Sequence, residues 1–568
     1  MEFEPRHLGC HEATRGQSFT MNPPTSSPTR YRFLVLAVLC SLAFLTYLDR
    51  ICIMRVQGDI ERDLGFAELT PADERALRES GLAGDSQARA KLARDRATQR
   101  MSWVFSAFVA GYVLFEVPGG WLGDRWGARA VIVRIVLMWS LFTAATGGVK
   151  GITALFSSKP GPEQWLMALV AVRFLFGVGE AGAYPNIARA LGRWFPFRER
   201  ATAQSFIWLS SRLGGAFAPA IIGVFMLLGG SWQPAFWILG LVGVAWAVFF
   251  LSWYRDRPED KPQVNAAERE LIRAGEAGAG SIYDDRPGRW GEATDEPPTR
   301  WGERPREPAR CDGTAHEPAQ GTEAKGEPAR EDTRPTKIDA AREDARPTRE
   351  VFRWASLFSP NVLALCLASF CVSFCFYFYI TFLPKYLKDQ FHVDYGQSQF
   401  ISGLPLLLGG FACLAGGFLS DYVIRKTGSK RWGRSLIPIA GWTAAGFCAF
   451  AVSQLHSAVA VMALIVIAFV FQDLGVPSMW SLPSDIGGRF AGTVGGWMNS
   501  AGAIGGMLSP LVAAKVSIAH GWNATFLVFG AIYLLGALAW LRVDAGNPIR
   551  QSDYCATRKN FAEPPGVV

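Results

Sequence analysis

The chain has 568 residues, half of them hydrophobic, with 20 Trp, 39 Phe and 19% charged residues, against about 25% charge in an ordinary soluble protein. A net charge of +8 invites a nucleic-acid partner, but the basic residues sit in short loops between apolar runs of about 20 residues, which is how a membrane protein orients itself. Nucleic-acid binding and a large soluble domain are therefore excluded, and the lipid bilayer is the expected environment.

In chain order, residues 1–31 form a polar tail that lacks the apolar core of a cleaved signal peptide. Six apolar spans follow within 32–254: Arg32–Cys52, Met101–Trp121, Val131–Gly148, Trp165–Tyr184, Ala201–Leu228 and Trp232–Tyr254. The stretch 59–100 between the first two carries balanced, alternating charges, which suggests an external loop with a short solvated helix or two. Residues 255–355 are rich in Pro, Gly, Glu and Arg and poor in aliphatics, so they read as a mostly disordered cytoplasmic linker. Six more spans lie within 356–542: Asn361–Leu383, Gln399–Leu419, Leu436–Val452, Ala458–Trp480, Ala491–Val516 and Ala524–Leu541. A tail, 543–568, closes the chain. The fold class is an all-α membrane protein with twelve transmembrane helices.

Basic residues concentrate after span 2 (Arg125, Arg129), span 4 (Arg189, Arg193, Arg198, Arg200) and span 8 (Arg425, Lys426, Lys430, Arg431, Arg434), whereas the loops after spans 5 and 9 carry none. Positive loops stay in the cytoplasm, so both termini are expected there. The ten cysteines show no CxxC spacing, and Cys40, Cys366, Cys371, Cys375, Cys413 and Cys448 lie inside apolar runs, where they read as small hydrophobes. No Walker loop, dinucleotide fingerprint or zinc pattern occurs, so no cofactor is expected.

The two halves resemble each other. Gly214-Gly215-Ala216-Phe217-Ala218-Pro219 matches Gly505-Gly506-Met507-Leu508-Ser509-Pro510; Trp232 to Phe236 matches Trp522 to Phe526; Gly119-Gly120-Trp121-Leu122-Gly123-Asp124 matches Gly416-Gly417-Phe418-Leu419-Ser420-Asp421. One offset of about 290 residues relates all three pairs, the mark of a duplicated bundle. Transporters use such repeats as two six-helix bundles that rock about a central site.

The segment from Gly120 to Arg129, Gly-Trp-Leu-Gly-Asp-Arg-Trp-Gly-Ala-Arg, resembles the loop 2–3 signature of the major facilitator superfamily. Tyr47-Leu48-Asp49-Arg50, Tyr112 with Val117-Pro118-Gly119-Gly120, Arg173 to Gly182 and Phe382 to Leu387 are similar to the anion:cation symporter family, which carries hexuronates, galactonate and related organic anions. The resemblance implies the major facilitator fold and gating roles for Asp124, Arg125 and Arg129, with Asp421 at the repeat-related position.

An ionisable group at bilayer depth costs at least about 2.5–3.5 kcal/mol, so each one asks for a partner or a task. A carboxylate substrate needs a cation, and the planar fork of arginine binds it in two places; Arg50 is the first choice. Proton coupling needs a carboxyl whose proton affinity follows its surroundings. Asp49 and Glu180 are the candidates, and the resemblance implies that role for both. Arg173 and Glu180 lie on one helix face about 10 Å apart, so Arg173 is expected to bridge Glu180 in one state and release it in another, or else to form a static pair with it. Both clusters are expected to face a central cavity. Arg212, beside Ser210 and Ser211, is either a second anion contact or the partner of Asp473. Glu116 is expected near a helix end, capping the gate. Tyr47, Tyr377, Trp480 and Asn499 complete the expected substrate contacts.

The leading reading is a proton symporter importing an organic anion of sugar-acid type across a bacterial inner membrane, acting as a monomer by alternating access. Organophosphate antiport is the alternative, weakened because span 7 has no Lys or Arg before Lys385. A membrane sensor would need an output domain, which the polar linker is not. An enzyme would need a nucleophile–base pair or metal cluster, and of six His only His456 and His520 lie near span ends.

Overall fold

The computed structural model describes residues 27–277, 354–391 and 395–549, which belong to one compact unit. The expected terminal tails over 1–26 and 550–568, and the linker over 278–353, lie outside the described residues. Among the described residues the regular structure is helical throughout. The N-terminal helices are α1 (Tyr31–Arg55), α2 (Gln57–Asp63), α3 (Pro71–Glu79), α4 (Ser86–Trp126), α5 (Ala128–Gly147), α6 (Val149–Ala154), α7 (Pro162–Glu180), α8 (Ala183–Trp194), α9 (Arg200–Gly229), α10 (Gln233–Trp253) and α11 (Ala266–Ala277). The C-terminal helices are α12 (Pro360–Phe391), α13 (Tyr395–Thr427), α14 (Lys430–Val452), α15 (Ala458–Leu474), α16 (Val476–Gly487) and α17 (Ala491–Trp540). Among the described residues, ten stretches are long and apolar enough to cross a membrane; the last, Ala458–Trp540, runs 83 residues and is interrupted at Gly475, at Gly488 and at Gly521.

Two expected spans are each a pair of helices. The fourth breaks at Ala181 and Gly182, where Gly182 takes φ 87°, a left-handed conformation that glycine adopts without penalty. A Cβ there would meet the Gly119 backbone at 2.7 Å, so the break is also where α4 and α7 approach closely. The amide freed by the break is not orphaned: Gly182 N–H donates to Glu116 Oε2 at 2.8 Å. Glu116 is thus an internal cap at the break. The tenth span breaks at Gly475, with Pro477 opening α16. Pro at the first turn costs no hydrogen bond.

The charged stretch 59–100 is more ordered than its composition suggests. It holds α2, α3 and the first turns of α4, which at 41 residues is about 60 Å long, roughly twice the bilayer core. Ile60, Leu64 and Phe66 are fully buried with Cys52, Met101 and Trp232. Arg100 locks the loop by donating to the Phe66 carbonyl at 2.8 Å and to Glu163 at 2.5 Å.

The start of the expected linker is also folded. α1 has no side-chain cap of its own, and Glu268 of α11 supplies one. Its buried carboxylate accepts from Thr29 Oγ1 (2.6 Å), from the amides of Tyr31 and Arg32 (3.2 Å each) and from Arg32 Nη1 (3.0 Å). A negative group at a helix N-terminus satisfies free amides and opposes the helix dipole favourably. Val264, Ala267 and Ile272 bury the apolar side of this segment, so the correction to 255–277 has a plain cause: a short apolar face and one capping glutamate that composition averages hide.

α1 packs on α9, α4 on α7 and α5 on α10; α12 packs on α17, and α13 and α14 on α15. The N- and C-terminal helices meet along α4 with α17 and α9 with α13.

Candidate functional site

A cavity of about 770 Å³ lies between the N- and C-terminal helices, and all six expected substrate contacts line it: Tyr47, Arg50, Arg212, Tyr377, Trp480 and Asn499. Its lining reaches Ser102 of α4 and Leu511 of α17. Asp124 lies about 33 Å further along α4, at the opposite end.

Arg50 anchors one wall. Its Nη2 and Nε both donate to Glu180 Oε1, at 2.5 and 3.2 Å, and its guanidinium lies over Tyr112 (4.9 Å), Phe108 (5.3 Å) and Tyr47 (5.5 Å). Arg50 keeps 17% of its side chain exposed while Glu180 keeps 1%, so the cation faces the cavity and the carboxylate stands behind it. Glu180 Oε2 has no donor among the described residues.

The expected contact between Arg173 and Glu180 is not formed. Arg173 is buried over Phe176 (4.4 Å) and Phe108 (5.2 Å), and its Nε has no partner among the described residues. Two turns of helix hold the two groups too far apart, and Arg50 reaches Glu180 from the neighbouring α1. Nor does Asp49 line the cavity. It is buried against α5, accepting from Thr143 Oγ1 at 2.5 Å, because adjacent residues on a helix point about 100° apart.

Arg212 is paired with Asp473. Its Nη2 donates to both Asp473 oxygens, at 3.1 and 3.4 Å, joining α9 to α15 across the cavity. The guanidinium rests 4.3 Å over Phe376. Trp208, Tyr184 and Trp480 form an aromatic cluster at the cavity's base, with Tyr184 stacked on Trp208 at 5.1 Å and Trp480 5.5 Å from Trp208. Asn499 on α17 donates to Tyr112 (2.9 Å) and to Glu116 (2.7 Å) on α4, a polar clasp across the two sets of helices.

At the far end the two sets are fastened crosswise. Asp124 accepts from the Gly492 amide (2.9 Å), the Thr493 amide (2.6 Å) and the Thr493 hydroxyl (2.6 Å), and pairs with Arg189 at 2.8 Å. Its repeat counterpart Asp421 accepts from the Thr202 amide (2.7 Å) and pairs with Arg434 at 2.6 Å. Each carboxylate therefore caps the first turn of a helix in the other set, α17 and α9. A Cβ at Gly120 would overlap the Gly492 carbonyl, and one at Gly417 would sit 2.5 Å from the Ala201 carbonyl, so the glycines let the backbones touch. Asp485 adds Arg200 (3.1 Å) and Arg434 (2.8 Å). Of the other expected gating residues, Arg125 lies over Trp121 of its own helix at 5.4 Å, and Arg129 donates to the Leu251 carbonyl at the end of α10. Arg129 thus braces the N-terminal helices rather than crossing between the sets.

Sequence reasoning missed Trp208 and Tyr184 in the cavity and Arg189, Arg200, Arg434 and Asp485 at the seam. The arginines were in view as loop charges. The repeat-related aspartates were the signal that they need partners.

With that geometry in hand, the family profile described as Major Facilitator Superfamily matches residues 39–510. The chain belongs to the major facilitator superfamily. This is a superfamily of transporters, not enzymes. Among similar major facilitator proteins is the "Probable sulfoacetate transporter SauU" of Cupriavidus necator, 28% identical over 518 residues, 90% of this chain and 94% of the relative. The D-galactonate transporter of Escherichia coli is 24% identical, covering 91% and 96%; the hexuronate transporter of Bacillus subtilis is 25% identical, covering 78% and 86%. The resemblance to the anion:cation symporters thus stands. The solved proton:xylose symporter XylE shares the fold, with a TM-score of 0.57 at 12% identity over 89% of this chain and 94% of that one. The human organic anion transporter MFSD10 does so with a TM-score of 0.56 at 15% identity, over 90% and 100%.

Proposed function

We propose that this major facilitator protein is a secondary transporter that imports a small organic anion, of sugar-acid type, together with protons across a bacterial inner membrane. The observation that carries the reading is Arg50: a guanidinium facing a cavity between the two sets of helices, held from behind by Glu180. An incoming carboxylate competes with Glu180 for the Arg50 fork. Glu180, displaced and buried, then takes a proton, and neutralising it removes the cost of an unpaired buried charge. Asp49, 4% exposed, sits behind the same wall as a second proton carrier, and Arg173 biases both carboxylates from its aromatic cage. Tyr47, Tyr377, Trp480 and Asn499 offer hydrogen bonds and ring faces to the hydroxylated part of the solute.

We read the chain as twelve crossings in two pseudo-symmetric six-helix bundles, 32–254 and 356–542. The 83-residue stretch supports this count: the Gly475 break falls inside the tenth span, and the interruptions at Gly488 and Gly521 divide the stretch into three crossings beside the nine other stretches. The crosswise caps of Asp124 and Asp421 are the cytoplasmic gate, closed in this structure, with both termini on the same side and the cavity reaching towards the 59–100 loop outside. Relatives named for galactonate, hexuronate and sulfoacetate transport support an anionic solute.

The test is uptake into proteoliposomes of labelled glucuronate, galacturonate, galactonate, a neutral sugar and a sugar phosphate, with and without an inward proton gradient. Gradient-driven accumulation of an organic anion, lost in Arg50→Gln, is expected. Uptake of the neutral sugar alone, or anion uptake indifferent to protons, refutes the proposal.

A further inference from the structure

Beyond Arg50, the cavity carries a second cation that the import reading leaves unused. Arg212 is 5% exposed, yet Asp473 engages only its Nη2 corner. Among the described residues its Nε and Nη1 have no acceptor, and neither has the indole N–H of Trp208, one helical turn earlier on α9. Buried donors without acceptors are rare, and each asks for an explanation. These lie on one face of α9, since positions four apart are neighbours, and both residues line the cavity. The surroundings make room for the pair: a Cβ at Gly409 would sit 2.5 Å from Asp473, and one at Gly410 would sit 3.2 Å from Arg212.

The two arginines are set up alike. Each guanidinium is held by one buried carboxylate from another helix, Glu180 for Arg50 and Asp473 for Arg212. Between them stand the rings of Tyr47 and Trp208, 6.3 Å apart, with Arg50 5.5 Å from the first and Arg212 5.7 Å from the second. Two cations flanking the same pair of rings suit a solute that carries two acidic groups.

We propose that the solute is a dianion, a dicarboxylate or a sulfonated carboxylate, whose second acidic group docks on Arg212 and the Trp208 N–H. This rests on the anion-import reading and narrows it. Because Arg212 and Asp473 belong to different sets of helices, a second acidic group that relaxes their ion pair also loosens a tie across the cavity. A monoanion engages Arg50 and leaves that tie in place.

The experiment is calorimetric binding to the full chain in nanodiscs, with two matched pairs: glucarate against gluconate, and sulfoacetate against glycolate. In every pair that binds, the dianion is expected to bind at least about tenfold more tightly. Arg212→Gln alone leaves Asp473 buried without its cation, so the double variant Arg212→Gln/Asp473→Asn is measured beside it. In the double variant the preference is expected to fall to near parity. A monoanion that binds as tightly as its dianionic partner overturns this inference while leaving anion import standing. So does a preference that survives the double variant, which would make Arg212–Asp473 a fixed brace. Failure of all four anions to bind overturns this inference, and the uptake assay then decides the import reading on its own.

Discussion

Replacing Asp124 with Asn should open the crosswise seam. The Arg189 pair lies within the N-terminal helices and is kept in any rigid-body rocking, so of the Asp124 contacts those to Gly492 and Thr493 distinguish closed from open. An amide can accept with its oxygen from Gly492 but turns an N–H₂ group towards the Thr493 amide. One charge-assisted bond is lost and one buried donor is left unpaired, together about 3 kcal/mol. That is a factor of roughly 150 in the closed-to-open ratio. Hydrogen–deuterium exchange reads it directly, since opening exposes the amides that the caps protect. The informative amide is not Thr493, which loses its acceptor in any case, but Thr202, capped by the unaltered Asp421. If the seam opens as a unit, Thr202 should exchange about a hundredfold faster in Asp124→Asn. Acceleration confined to residues 491–495 would refute the gate and reduce Asp124 to a local helix cap.

Arg50→Lys should lower anion uptake by about tenfold or more, because the ammonium keeps the charge but not the planar fork; wild-type kinetics in the uptake assay would remove Arg50 from the site. Glu180→Gln should abolish accumulation against a gradient while sparing solute exchange across the membrane, and a mutant that still concentrates solute would discharge Glu180 from coupling. Gly120→Val should prevent the seam from closing, since its side chain has no space beside the Gly492 carbonyl; uptake at the wild-type rate would contradict the closed geometry. Removing residues 284–352, rich in Pro, Gly, Glu and Arg and poor in aliphatics, should leave uptake within about twofold, because such a sequence cannot bury a core and loop length costs little.

The spans, the repeat and the cavity-lining residues were legible because apolar length, motif offset and intramembrane charge are one-dimensional signals. The helix breaks at Gly182 and Gly475 were not, because hydropathy runs on through them and glycine is common in membrane helices. The pairing of Glu180 with Arg50 was not foreseen for a related reason. Spacing along one helix identifies neighbours on that helix, whereas the partner, Arg50, comes from another one. The burial of Asp49 against Thr143 was not legible, since consecutive residues such as Met479 and Trp480 can both line one cavity. The anchoring of Glu268 was hidden because its partners lie more than two hundred residues away in the chain.

That anchoring has a practical consequence. With Glu268 fastening α11 to the start of α1, the N-terminal helices finish their own fold by Ala277, and the next described helical turn begins at Trp354. A chain cut between those points is expected to yield two polypeptides that reassemble through the α4–α17 and α9–α13 contacts, which co-purification of the two halves checks. The protein can thus be made as two co-expressed fragments, each carrying its own label, or with a reporter domain spliced after Ala277.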